Sequence, residues 1–81
     1  MFIETVSNDE ARRWVNAGRQ PYEYKSKDPS KGPFFGPGYD DPDELDRARR
    51  EHRYADSLEA AQQCAQAAGT SISGVTFLTG R

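Results

Sequence analysis

The side chains able to do chemistry are few. The chain holds one histidine, His52, one cysteine, Cys64, and thirteen carboxylates. Nucleophilic catalysis needs a nucleophile beside a base that a third group orients. His52 falls at the end of a charge-laced stretch, Arg49-Arg50-Glu51-His52-Arg53, that reads as water-facing. Cys64 falls on the apolar side of an Ala-rich segment, where a cysteine acts as a small inert core residue. Paired carboxylates need a cleft to separate their pKa values, and a core this thin leaves most acids solvated. One Cys and one His cannot build a zinc site of about four ligands. Asp41, Asp43 and Asp46 miss the spacing of a calcium loop. In Gly32-Pro33-Phe34-Phe35-Gly36-Pro37-Gly38 the prolines remove the amides that a phosphate loop would use. The residues point to a non-enzyme with no metal and no cofactor.

Two constellations remain. The first is a charge run: Asp40, Asp41, Asp43, Glu44 and Asp46 precede Arg47, Arg49, Arg50 and Arg53. Acids at a helix start and arginines at its end complement the helix dipole, and Asp43–Arg47 and Asp46–Arg50 stand at i,i+4. The same five acids form a compact negative patch suited to a basic groove on a partner. The second constellation is aromatic: Tyr22, Tyr24, Phe34, Phe35 and Tyr39, interleaved with Lys25, Lys27 and Lys31. Aromatics on a proline-stiffened loop lose little entropy on binding and dominate interface hot spots. Stacking on single-stranded bases is the competing use. A net charge of −2 and a pI near 5.3 argue against direct nucleic-acid binding, where values above about 9 are usual.

The elements that must position these residues are mostly legible. Phe2–Val6 reads as a strand buried on both sides. Ser7 and Glu10 have capping-box spacing and open a helix over about residues 8–17, with Ala11, Trp14, Val15 and Gly18 on one face. Residues 20–25 read as a strand with Tyr22 and Tyr24 on one side and Pro21 at its start. Residues 28–42 carry four prolines and three glycines, so 26–41 reads as a long, solvent-exposed loop without regular structure. Asp41 caps a surface helix beginning at Pro42 and running to about His52. Asp56 with Glu59 repeats the cap spacing and starts a helix with Leu58, Ala61, Cys64, Ala65 and Ala68 on its inner face. Ile72–Thr79 is the last strand, expected between the first strand and the last helix.

The closure expected is one small α+β domain spanning 1–81, with a three-stranded sheet and two to three helices in the order strand, helix, strand, loop, helix, helix, strand. Leu, Ile, Val and Phe together make twelve of 81 residues, well under the roughly 20% expected of a well-cored chain. That thin core disfavours a large substrate pocket. No apolar run reaches the roughly 20 residues that span a bilayer and no leader is evident, so the reading is a soluble cytoplasmic protein without a membrane partner.

Function follows from what is left. The expectation is a non-catalytic binding protein whose contact residues are Tyr22, Tyr24, Phe34, Phe35, Tyr39, Asp40, Asp41, Asp43 and Glu44. Its partner would be a protein, or a protein–nucleic-acid complex, with a basic surface. In size, acidity and missing chemistry the chain resembles the small phage-encoded inhibitors of host machinery, anti-CRISPR proteins among them; no motif carries the likeness. The alternatives are a small nucleic-acid-associated regulator using the Lys/aromatic loop, and an adaptor or small enzyme subunit.

Overall fold

The computed structural model describes residues 2–79 as an α+β arrangement of three α-helices and one sheet. The elements are β1 (Phe2–Val6), α1 (Asn8–Asn16), β2 (Pro21–Ser26), a 3-10 turn (Pro29–Lys31), β3 (Phe34–Phe35), α2 (Pro42–Arg50), α3 (Leu58–Ala67) and β4 (Ile72–Thr79). The sheet has four strands rather than the three expected, in the order β1-β4-β2-β3, and every neighbouring pair is antiparallel.

The C-terminal strand is the centre of the sheet. β4 lies between β1 and β2, and Val75, Thr76 and Phe77 are each at most 1% exposed. Burial of successive residues means that both faces are covered there. β1 is correspondingly an edge and not the doubly buried strand its composition suggests. Phe2 and Ile3 are 74% and 62% exposed because only β4 lies beside them.

The core forms on one face of the sheet. Tyr24, Phe34, Ile72, Val75 and Phe77 pack with Ala11, Ala55, Leu58, Ala61 and Ala65, and Trp14 lies against Phe77 with ring centroids 4.9 Å apart. The small residues on α3 let its backbone approach the sheet closely, as its Ala spacing suggests. Cys64 is only partly buried and Ala68 is exposed, so the inner stripe is narrower than expected.

The caps differ in detail. Ser7 accepts from the Glu10 amide at 3.4 Å, but the Glu10 carboxylate turns away to accept from Trp14 Nε1 at 3.1 Å and to pair with Arg13 at 3.3 Å. Ser57, not Asp56, caps α3, accepting from the Ala60 amide at 3.1 Å. α2 starts at Asp41 and Pro42 as expected but ends at Arg50. His52 lies beyond it in a turn with φ of 57°.

The largest departure is residues 26–41. Proline and glycine density forbids long regular elements, yet two residues suffice for pairing. Phe34 and Phe35 lie opposite Tyr24 and Glu23 of β2. On the other side the Phe35 amide donates to Arg53 O, and Phe35 O accepts from the Ala55 amide, both at 2.7 Å. Gly36 and Gly38 let the segment lie flat, since a Cβ at either would come within 2.8 Å of the Tyr24 ring or of Pro21 O. Around Phe34 and Gly36 the segment is a packed strap, while Lys27, Pro29–Lys31, Pro37, Asp40 and Asp41 are exposed as expected.

Truncating the core should be costly. Leu58→Ala and Phe77→Ala are each expected to lose about 2–5 kcal/mol, whereas Ile3→Ala on the open edge should lose less than about 1 kcal/mol. Denaturant unfolding measures all three. Equal midpoints for Phe77→Ala and wild type would contradict the central place of β4.

Candidate protein-binding surface

Antiparallel pleating sorts the aromatic residues. Residues opposite each other share a face, so Phe34 joins Tyr24 on the core side and Phe35 joins Glu23 on the other. Tyr24 and Phe34 are 1% and 2% exposed. They are core residues and are removed from the expected contact set. Tyr22, Phe35 and Tyr39 remain partly accessible.

Phe35 and Tyr39 stack with centroids 4.5 Å apart and planes tilted by 35°. The pair is held from two directions. The Tyr39 hydroxyl donates to Glu44 Oε2 on the first turn of α2. The Arg53 guanidinium lies 5.4 Å from the centre of the Phe35 ring, and its Nη2 donates to Pro33 O at 3.4 Å. Cations favour such positions over the negative face of an aromatic ring. Between these side chains and Arg47, Ala48 and Glu51 lies a dent of about 150 Å³. Arg53 is thus part of the surface, although its place in the charge run gave only a helix-end reading.

The acids cluster beside the stack. Asp41 Oδ1 accepts from the amides of Asp43 at 3.0 Å and Glu44 at 3.5 Å. Asp40, Asp41, Asp43 and Glu44 are all exposed. The expected Asp43–Arg47 and Asp46–Arg50 pairs do not form: among the described residues no ion pair joins the acids of α2 to its arginines. Arg49, which belongs to neither expected pair, lies 5.0 Å from the centre of the Tyr54 ring. An exposed i,i+4 pair is worth only about 0.3–0.5 kcal/mol, so its absence costs little. The helix therefore presents a negative start and a positive end that do not neutralise each other.

The lysines are placed differently. Lys25 pairs with Glu23 at 2.7 Å, and Lys31 reaches Gly69 O at 3.5 Å. Both are engaged within the chain, which, with two aromatics in the core, weakens the base-stacking alternative.

His52 is exposed and Cys64 half-buried. Burial pushes the Cys64 thiol above its ordinary pKa, and its Sγ lies 4.0 Å from Tyr54 O. Among the described residues no three His, Cys, Asp or Glu side chains converge as a metal site would require. Among the described residues no helix is long and apolar enough to cross a membrane. Comparison with known proteins adds no relative: no family model, no curated protein and no solved structure matches the chain.

Two expectations follow. Donation to Glu44 is the main cause that raises the Tyr39 phenol from an ordinary 10.0 to about 12. A raised phenol pKa favours the protonated form in the folded state. Its contribution to stability is therefore present below pH 10 and lost as the pH rises through about 12. In Glu44→Gln the phenol should ionise at lower pH than in wild type, read by phenolate absorbance; unchanged titration would contradict the contact. Cys64 should alkylate more slowly in native protein than in denaturant, since a raised pKa and burial both deplete accessible thiolate. Equal rates would show an open thiol.

Proposed function

We propose that this chain is a non-catalytic binding protein that occupies a basic surface on a protein, or on a protein–nucleic-acid complex, and inhibits by occupancy. The observation that carries the reading is the braced Phe35–Tyr39 stack beside exposed Asp40, Asp41, Asp43 and Glu44. The stack offers rigid apolar area. Because stacking, the Glu44 contact and the Arg53 guanidinium already restrict these rings, little further freedom is lost on binding. The acids supply the other component, since uncompensated charges steer a basic partner and fix its orientation. Tyr22 extends the surface along β2, where its carbonyl accepts from the Gly36 amide at 3.5 Å. Blocking a phosphate-binding groove with carboxylates needs no reactive group.

Two variants separate the components once the partner is captured from host extract with and without nuclease. Phe35→Ala should raise the off-rate by an amount worth about 1–3 kcal/mol. A combined Asp40, Asp41 and Asp43→Asn change should chiefly slow association and flatten its salt dependence. Asn caps a helix nearly as well as Asp, so melting should change little. If both variants bind like wild type while Arg49 or Arg50 variants lose binding, the acidic face is not the contact.

A further inference from the structure

A second concavity lies across the Gly36-Pro37-Gly38 turn from the aromatic stack. It is a groove of about 310 Å³ between the end of α1, the start of β2, Pro37 and the N-terminus of α3. That volume is at the small end of ligand sites, which run from about 300 to 1,000 Å³. Tyr24 forms part of its lining at 1% exposure, and the Tyr24 hydroxyl is buried without a hydrogen-bond partner. Buried hydroxyls are ordinarily paired. One left unpaired on a groove wall marks a place for an incoming polar group.

The lining shows which polar group fits. Val15, Pro21, Pro37 and Leu58 give apolar walls, and Asp56 and Glu59 bring carboxylates. Burial is the main cause that raises the Tyr24 phenol, and the charges of Asp56 and Glu59 add to it, so the hydroxyl sits in their negative field. Two arginines also line the groove. Arg12 pairs with Glu59 inside it at 3.4 Å, an exposed contact that an incoming cation must share or displace, and Arg19 lies 4.3 Å from the centre of the Trp14 ring. The amide end of α3 would attract an anion, but Asp56 and Glu59 flank it and Ser57 already takes the Ala60 amide.

We propose that this groove receives one lysine or arginine side chain of the partner. Its methylenes run along the proline, valine and leucine walls, and its cationic head meets the Asp56 and Glu59 carboxylates with the Tyr24 hydroxyl as a further acceptor. The inference rests on the reading that the partner presents a basic surface. The Gly38 amide donates to Pro21 O at 2.9 Å, so the turn that carries the aromatic stack also fixes the rim of the groove.

The test needs no partner. The isotopically labelled chain is titrated with n-butylguanidinium or n-butylammonium chloride, and separately with sodium butyrate, at constant ionic strength, following backbone amide shifts. The cations should shift the Ser57, Leu58 and Glu59 amides saturably, and butyrate should not. Asp56→Asn should weaken cation binding about two- to fivefold, the range of a single exposed ion pair. Arg12→Gln, which releases Glu59, should tighten it by a similar factor. Tyr24→Phe should weaken binding while the melting temperature rises, a combination that a purely structural role would not give. Butyrate titrating the same amides, Arg12→Gln weakening the cation, or Asp56→Asn changing nothing would each overturn the proposal. Such a failure leaves the Phe35 face standing, because partner capture by that face is read separately.

Discussion

Phe34 lies against Tyr24 across two short antiparallel strands, and both candidate surfaces depend on that contact. A two-residue strand has little hydrogen bonding of its own; burial of the Phe34 ring is what holds it to β2. Once Phe34 points inward, the pleat sends Phe35 outward, where it meets Tyr39. Gly36 then crosses the face of the Tyr24 ring too closely for any Cβ, and Pro37 arrives at the rim of the groove. A chain with so few large aliphatic residues leans on aromatic area for its core. The strap is consequently part of what stabilises the fold as well as what presents the candidate contact surface.

Electrostatics acts on top of this frame without building it. The four ion pairs among the described residues have at least one partner substantially exposed, and such pairs contribute about 0–1 kcal/mol each. More consequential is where charge stays uncompensated. α2 keeps its acids at one end and its arginines at the other. Arg19 and Arg49 lie over the faces of Trp14 and Tyr54 rather than beside carboxylates, and Arg53 lies over Phe35 while pairing with Glu51 at 3.2 Å, outside the acids around Asp41. The acids near Asp41 are thereby left without an ion-pair partner among the described residues.

Local signals in the sequence were readable where the physics is local. Ser7, Asp41 and the helix periodicities depend on residues three or four apart, and α1, α2 and α3 lie close to where those spacings put them. Gly18 and Gly69 end their helices in the left-handed region at φ of 91° and 80°. What escaped is non-local. The central position of β4 and the edge position of β1 depend on which strands meet, and Phe2-Ile3-Glu4-Thr5-Val6 has the composition of a buried strand whichever place it takes. β3 escaped for a similar reason: pairing partners for Phe35 come from Glu23 on one side and from 53–55 on the other, and nothing near Phe35 encodes them. The candidate site was therefore legible as residue types, aromatic and acidic, but not as a division between Phe34 inside and Phe35 outside. The groove was missed altogether, because its lining comes from α1, β2, the strap and α3 together.

The strap's rigidity is the claim on which the functional reading stands, and native-state amide hydrogen exchange tests it directly. The Phe35 amide, donating to Arg53 O, and the Ala55 amide, donating to Phe35 O, should be protected to nearly the same free energy as the amides of β4, exchanging only with global unfolding. Exchange of Phe35 and Ala55 at the rate of an unstructured chain, with β4 still protected, would contradict it: residues 26–41 would then be a mobile loop and the stacked platform would not exist in the free protein.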